Sequence, residues 1–190
     1  MKCLTHCTTF INALHILLEK TVKFGNLRLS NDEEEAELHG DDRTTLYSFC
    51  LFMGSCDDIS SIMWLAYSGR INGASITFCF EDSVKFNELF YSNEEIACFP
   101  VQYDENEVEL IAEDYSLFGH IKNQKFADEK EYRFLIKKDW IDDSSHLYQN
   151  INFDCVKKII LCVDPKLENI CKIIFKDNRL IEIKINSYLR

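Results

Sequence analysis

Several things are missing from this sequence, and each absence excludes a class of function. No stretch approaches the ~20 uninterrupted apolar residues that cross a bilayer: the run from Phe10 to Leu18 is broken by Asn12 and His15 and followed by Glu19 and Lys20. No basic segment leads into an apolar run with a small-residue cleavage site, so a cytoplasmic chain with no membrane association is expected. The six glycines form neither GxGxxG nor GxxxxGKS, and no GxSxG occurs, which removes the common phosphate loops and the serine-hydrolase elbow. Nor is there a CxxC. His6 lies between Cys3 and Cys7, but strand alternation sends it to the opposite face from them, and no second Cys/His pair stands at zinc spacing. No metal is expected.

Positive charge is scarce as well. With 21 basic and 32 acidic residues the net charge is −11, which disfavours non-specific nucleic-acid binding and adhesion to anionic membrane. A small molecule, such as a nucleotide, or a protein partner fits better. The run 31–42 holds Asp32, Glu33, Glu34, Glu35, Glu37, Asp41 and Asp42 with little to bury, and reads as an acidic loop or exposed helix.

What is abundant is apolar and aromatic. At 190 residues, with 46% hydrophobic content, the chain is large enough to bury a core as one domain, 1–190. Nine cysteines sit mostly inside apolar runs such as Thr77-Phe78-Cys79-Phe80. They read as reduced, buried small hydrophobes, and none is selected as a nucleophile by a local signature.

Periodicity places strands at 3–8, 27–30, 44–52, 74–80, 97–103, 131–136, 156–163 and 180–185. Helices are expected at 9–20, with Phe10, Leu14, Leu17 and Leu18 as its apolar face, after Asp57 or Asp58, and from Asp82 or Ser83 to 91. A fourth opens at Pro165, with Leu167, Ile170, Cys171 and Ile174 inward. The stretch 104–124 suits either state, and 139–152 reads as a polar connection around Trp140. The sum is an α+β domain with mixed, mostly antiparallel sheets and about four helices.

The strand beginning Glu131-Tyr132-Arg133-Phe134-Leu135-Ile136 is the most informative. Tyr132, Phe134 and Ile136 share one face, and Glu131, Arg133 and Leu135 the other, which fixes a carboxylate and a guanidinium at a strand's start. On periodicity alone it is an exposed edge strand with a charged face.

Its company elsewhere suggests more. The opening Leu4-Thr5-His6-Cys7-Thr8-Thr9, the strand Leu27-Arg28-Leu29-Ser30-Asn31, Met63-Trp64-Leu65-Ala66-Tyr67 running into Gly73-Ala74-Ser75-Ile76-Thr77-Phe78, Glu129-Lys130-Glu131-Tyr132-Arg133 and Ile159-Ile160-Leu161 follow one another. In that order they resemble the bacterial domain of unknown function 2971. The layout also resembles, more distantly, ADP-ribosyltransferases with a His, Tyr, Glu triad, such as poly(ADP-ribose) polymerases and tRNA 2′-phosphotransferases.

That resemblance implies an ADP-ribosyltransferase-like fold and NAD as a substrate cleaved at its nicotinamide–ribose bond, in a toxin or phage-defence effector. It implies that His6 hydrogen-bonds the ribose and that Tyr67 or Trp64 stacks on nicotinamide. Glu131 would accept from the 2′-hydroxyl and stabilise oxocarbenium-like charge. Thr8 joins the cofactor-binding set, and Arg28, Arg70 or Arg133 would neutralise the pyrophosphate. The alternative is a non-catalytic nucleotide- or protein-binding module of the same fold, motivated by Thr5 and Cys7 standing where the family carries aromatics. On the bland reading His6 is a satisfied half-buried histidine, Trp64 and Tyr67 are core residues and Arg133 simply pairs with Glu131 or Glu129.

Overall fold

A computed structural model describes residues 1–29, 44–55, 57, 64, 66–68, 72–91, 95–107, 110, 118–140 and 144–185. In chain order the described elements are β1 (Lys2–Thr9), α1 (Phe10–Glu19), β2 (Thr21–Asn26), β3 (Thr45–Met53), β4 (Gly73–Phe80), β5 (Ile96–Pro100) and β6 (Gln102–Asp104). After them come β7 (Ile121–Asn123), β8 (Glu131–Lys138), β9 (His146–Asn150), β10 (Val156–Val163), α2 (Pro165–Ile174) and β11 (Ile181–Ile185). Short 3-10 segments occupy Leu27–Leu29, Ser83–Leu89, Gln124–Glu129 and Phe153–Cys155. Trp64, Ala66 and Tyr67 are also helical. The class is α+β, mostly antiparallel. The acidic run 31–42, Arg70 and most of the helix expected after Asp57 lie outside the described residues.

The chain divides into two compact units: Met1–Thr21 with Met53–Leu89 and Ile151–Arg190, and Val22–Phe52 with Phe90–Asn150.

In the first unit β4 is the inner strand, antiparallel to β1 on one side and to β10 on the other. Every residue of β4 is buried, which explains its uninterrupted small and apolar sequence. β10 then pairs in parallel with β11, a connection that requires a crossover, and α2 supplies it. The Asp164 side chain caps α2 by accepting from Lys166 N–H at 2.8 Å, with Pro165 in the first turn. Thr9 caps α1, and Lys20, at φ 54°, closes it.

The helices do not present the expected faces. α1 turns Ala13 and Ile16 inward and leaves Leu18 exposed. α2 buries only Cys171, leaving Ile170 and Ile174 exposed. Periodicity identifies an apolar stripe, but not whether anything packs on it.

The cysteine reading also needs correction: Cys3 and Cys79 form a disulfide. They are directly opposed in the β1–β4 register, with Cα atoms 4.2 Å apart, and a pairing 76 residues distant in sequence leaves no local signature. Disulfides persist mainly in oxidising surroundings, so the bond also bears on the cytoplasmic expectation. Cys7, Cys50, Cys98, Cys155, Cys162 and Cys171 carry thiols outside any disulfide.

In the second unit β8 lies between β3 and β5, antiparallel to both, and β2 joins β3. One face of this sheet packs aromatics: Phe24, Phe49, Phe90 and Phe134 have ring centroids 5.1–6.5 Å apart. The other carries Leu135 and is covered by Leu27, Phe118 and Ile121.

Four local expectations fail here or in the neighbouring segments. Leu27–Leu29 is a 3-10 turn rather than a strand, because Asn26 Oδ1 accepts from Arg28 N–H at 3.0 Å and curls the chain. The expected strand at 97–103 splits at Val101 into β5 and β6. The polar connection contains β9, and 83–89 is 3-10 rather than α. β8 itself is no exposed edge, since it has a partner on each side and buries its charged face.

Candidate functional site

The site is built around the first residue of β8. Two turns aim it. The segment Gln124–Glu129 is capped by Asn123, whose side chain accepts from Lys125 N–H. It ends on Lys130 in the left-handed conformation (φ 47°), whose N–H donates back to Ala127. A non-glycine residue in that region is strained, and here it reverses the chain immediately before Glu131. The backbone of Glu131 is then held on both sides: its N–H donates to the Tyr103 hydroxyl at 2.8 Å, and its carbonyl accepts from Val101 N–H at 3.0 Å.

The side chain points into the covered face of the sheet, where it is 3% exposed and Arg133 1%. Arg133 Nε donates to Glu131 Oε1 at 2.6 Å, and Nη1 to the Gly119 carbonyl at 3.3 Å. Lys122 Nζ donates to Glu131 Oε2 at 3.3 Å and to Glu129 Oε2 at 2.8 Å, while lying 4.4 Å from the centroid of the Phe126 ring. Two cations therefore face two carboxylates in a nearly dry enclosure. Gly119 makes this possible: its φ is +79°, and a Cβ there would come within 2.9 Å of Leu135 Cδ1. Beside it, the His120 ring stacks on Phe99 at 3.8 Å.

The electrostatics follow from the partners. Burial pushes the Glu131 carboxyl up, but the Arg133 and Lys122 charges, with hydrogen bonds from Arg133 and the Cys50 thiol, outweigh it and hold the group at about 2. Tyr103 is pushed up, chiefly by burial and also by the carboxylates of Glu131 and Glu129, against the Glu131 hydrogen bond and Lys122.

Of the residues singled out in the sequence, Glu131 and Arg133 meet here. Arg28, half-buried in the 3-10 turn Leu27–Leu29, belongs to the same unit. His6, Thr8, Trp64 and Tyr67 belong to the first unit. There His6 is half-buried on β1 opposite Ile76, and Thr8, two residues on and on the same face, is buried opposite Ala74. Trp64 is half-buried, its carbonyl accepting from the Ser68 hydroxyl. Tyr67 is 39% exposed. Arg70 lies outside the described residues.

Sequence reading missed Lys122, Tyr103 and Gly119. Lys122 had one usable signal, being a lysine between Ile121 and the cap residue Asn123, but the stretch was open between helix and strand. Among the described residues no cluster of His, Cys, Asp and Glu is arranged to hold a metal. No helix among them is long and apolar enough to cross a membrane.

Compared with known family models, curated proteins and solved structures, the chain matches none.

Proposed function

We propose that this chain is a nucleotide-binding module of ADP-ribosyltransferase-like design that holds its ligand without cleaving it. The observation that carries this reading is the state of Glu131. Both of its oxygens are engaged by Arg133 or Lys122 within an enclosure that leaves it 3% exposed. A carboxylate that stabilises oxocarbenium-like charge must instead be open to a ribose hydroxyl, and must strengthen its contacts in the transition state. Here the carboxylate is spent on organising the start of β8. Thr5 and Cys7, in place of the family's aromatics on the first strand, agree with a retained fold and relaxed chemistry.

The second reading is the enzyme, an NAD-cleaving ADP-ribosyltransferase acting as a toxin or phage-defence effector. The observation favouring it is that Glu131 stays ionised, at about 2, and a full negative charge is what such a reaction needs. Tyr67, at 39% exposure, offers a ring for nicotinamide to stack on.

Calorimetric titration with NAD and with ADP-ribose, followed by recovery of the ligand, separates the two. The binding module gives saturable heat and intact NAD. Nicotinamide release that is lost in both Glu131→Gln and Tyr67→Ala, with folding verified by circular dichroism, would replace it with the enzyme.

A further inference from the structure

Strand β11 ends its sheet, with β10 as its one ladder partner among the described residues. The two run parallel in an unbroken register from Ile159↔Ile181 to Val163↔Ile185. Ile159 N–H donates to the Leu180 carbonyl at 2.7 Å, and the alternation of a parallel ladder then turns the peptide groups of Glu182 and Lys184 towards β10. The N–H and C=O of Ile183 therefore face outward. So do the Ile181 carbonyl and the Ile185 N–H, while the Ile181 N–H donates to the Asn178 carbonyl at 3.2 Å. Exposed edges are ordinarily blunted by proline, by a bulge or by charge of one sign. Residues 181–185 read Ile-Glu-Ile-Lys-Ile, with no proline and no bulge, and carry one charge of each sign.

That pair of charges makes the strand complementary to itself. Outward peptide groups recur at every second residue, so three antiparallel registers keep most of two β11 strands in overlap. Centred on Glu182 or on Lys184, the pairing sets that residue against its own copy, and like charges directly opposite are destabilising. Centred on Ile183, it lets the two Ile183 residues exchange both hydrogen bonds. It also sets Glu182 opposite Lys184 of the partner subunit, twice, at the positions where cross-strand side chains lie closest. Glu182 and Lys184 are both exposed. Lys158 Nζ lies 2.9 Å from Glu182 and 3.0 Å from Asp57, so the charged groups joined at this face, Lys158 and Lys184 against Glu182 and Asp57, are balanced. The chain as a whole carries −11, and that longer-range repulsion between copies is screened over ~8 Å at physiological salt.

We propose that the β11 edge pairs antiparallel with the β11 edge of a second copy of this chain, centred on Ile183. The contact is the same from both sides and uses up both edges, so the assembly closes as a two-fold dimer instead of growing into a fibre. A seam of five residues is small, which sets the dissociation constant on the order of 10 μM.

Sedimentation velocity of the full chain at physiological salt, from about 1 μM to about 1 mM, brackets that value. The expected result is a reversible monomer–dimer equilibrium. Glu182→Lys and Lys184→Glu each set like charges opposite one another twice, and each raises the dissociation constant by about tenfold or more. Both positions are exposed in the single chain, so the urea midpoints should move little. Mixed in equal amounts, the two variants should associate with each other about as well as the parent chain does with itself, because the lysines of one then meet the carboxylates of the other. Hydrogen exchange reads the backbone separately: the Ile183 amide should exchange more slowly as the dimer fills. A monomer across the whole range overturns the proposal. So does a dimer whose charge variants associate no better mixed than alone, or one in which the Ile183 amide exchanges as fast as in the monomer.

Discussion

In the first unit the polar groups buried within the sheet are neutral hydroxyls. Thr5 Oγ1 donates to the Gly54 carbonyl at 2.8 Å and lies 3.0 Å from Thr77 Oγ1, and Ser75 Oγ, fully buried, has no hydrogen-bond partner. The second unit buries neutral groups too, Asn26, Thr45 and Ser48, but it adds a set of charges: Lys122, Glu131 and Arg133, with Glu129 at the margin. Hydroxyls can be satisfied or lost one at a time. Charges cannot, because removing one member strands its partner in a low-dielectric enclosure. The first unit is thus expected to lose its buried polar groups one at a time at modest cost, and the charged group of the second to fail as a set.

Arg133→Met should produce the largest effect, since it leaves the Glu131 carboxylate with Lys122 as its one strong cationic partner beside the Cys50 thiol. A loss of about 3–5 kcal/mol is expected by urea unfolding at neutral pH. Glu131→Leu combined with Arg133→Met removes both charges and should recover much of that loss, while Lys122 keeps Glu129. If Arg133→Met costs under ~1 kcal/mol, the enclosure is wetter than its burial implies and the contrast between the units collapses.

Acid offers a second test of the same set. The Glu131 carboxyl is depressed in the folded chain, from an ordinary 4.5 to about 2, so the folded state favours its ionised form. Its contribution to stability is complete above about 4.5 and is lost as pH falls from there through about 2. The amount is on the order of 3 kcal/mol. Unfolding followed across that window should slope steeply in the parent chain and less so in Glu131→Gln.

Between these and the smallest effect stands Gly119→Ala. The new methyl group meets a backbone at φ +79° and Leu135 Cδ1 at 2.9 Å. A cost of about 1–3 kcal/mol is expected, and it should grow if the shift also withdraws the Gly119 carbonyl from Arg133. Thermal denaturation of this variant alone and with Arg133→Met would show whether the two losses add.

How much of this was legible in the sequence depends on how local each feature is. β10 and the start of α2 were placed to the residue, because a continuous apolar run and an Asp-Pro start are written within a few positions. The shared face of Glu131 and Arg133 was legible for the same reason, as strand alternation needs only two residues. The Cys3–Cys79 bond was not, since it depends on a register set by eight opposed pairs. Lys122 joins Glu131 across a turn whose left-handed Lys130 has no sequence signature of its own. The exposed isoleucines of α2 show a further limit: amphipathic spacing reports that a stripe exists and leaves open what covers it.

The smallest effect is the one that separates the units most cleanly. Ser75 sits on β4 between Cys7 of β1 and Ile160 of β10, and its buried hydroxyl has no hydrogen-bond partner. Burying that group without a bond already costs free energy, so Ser75→Ala removes a penalty and only a small amount of packing. Stability should stay level or rise by up to ~1 kcal/mol, read as an unchanged or higher urea midpoint. Thr5→Val, one strand away, should instead cost about 1–2 kcal/mol, because the Gly54 carbonyl and Thr77 lose a partner they have. A Ser75→Ala loss as large as that of Thr5→Val would mean that the Ser75 hydroxyl is bonded after all, and that the first unit, like the second, treats its buried polar groups as a set.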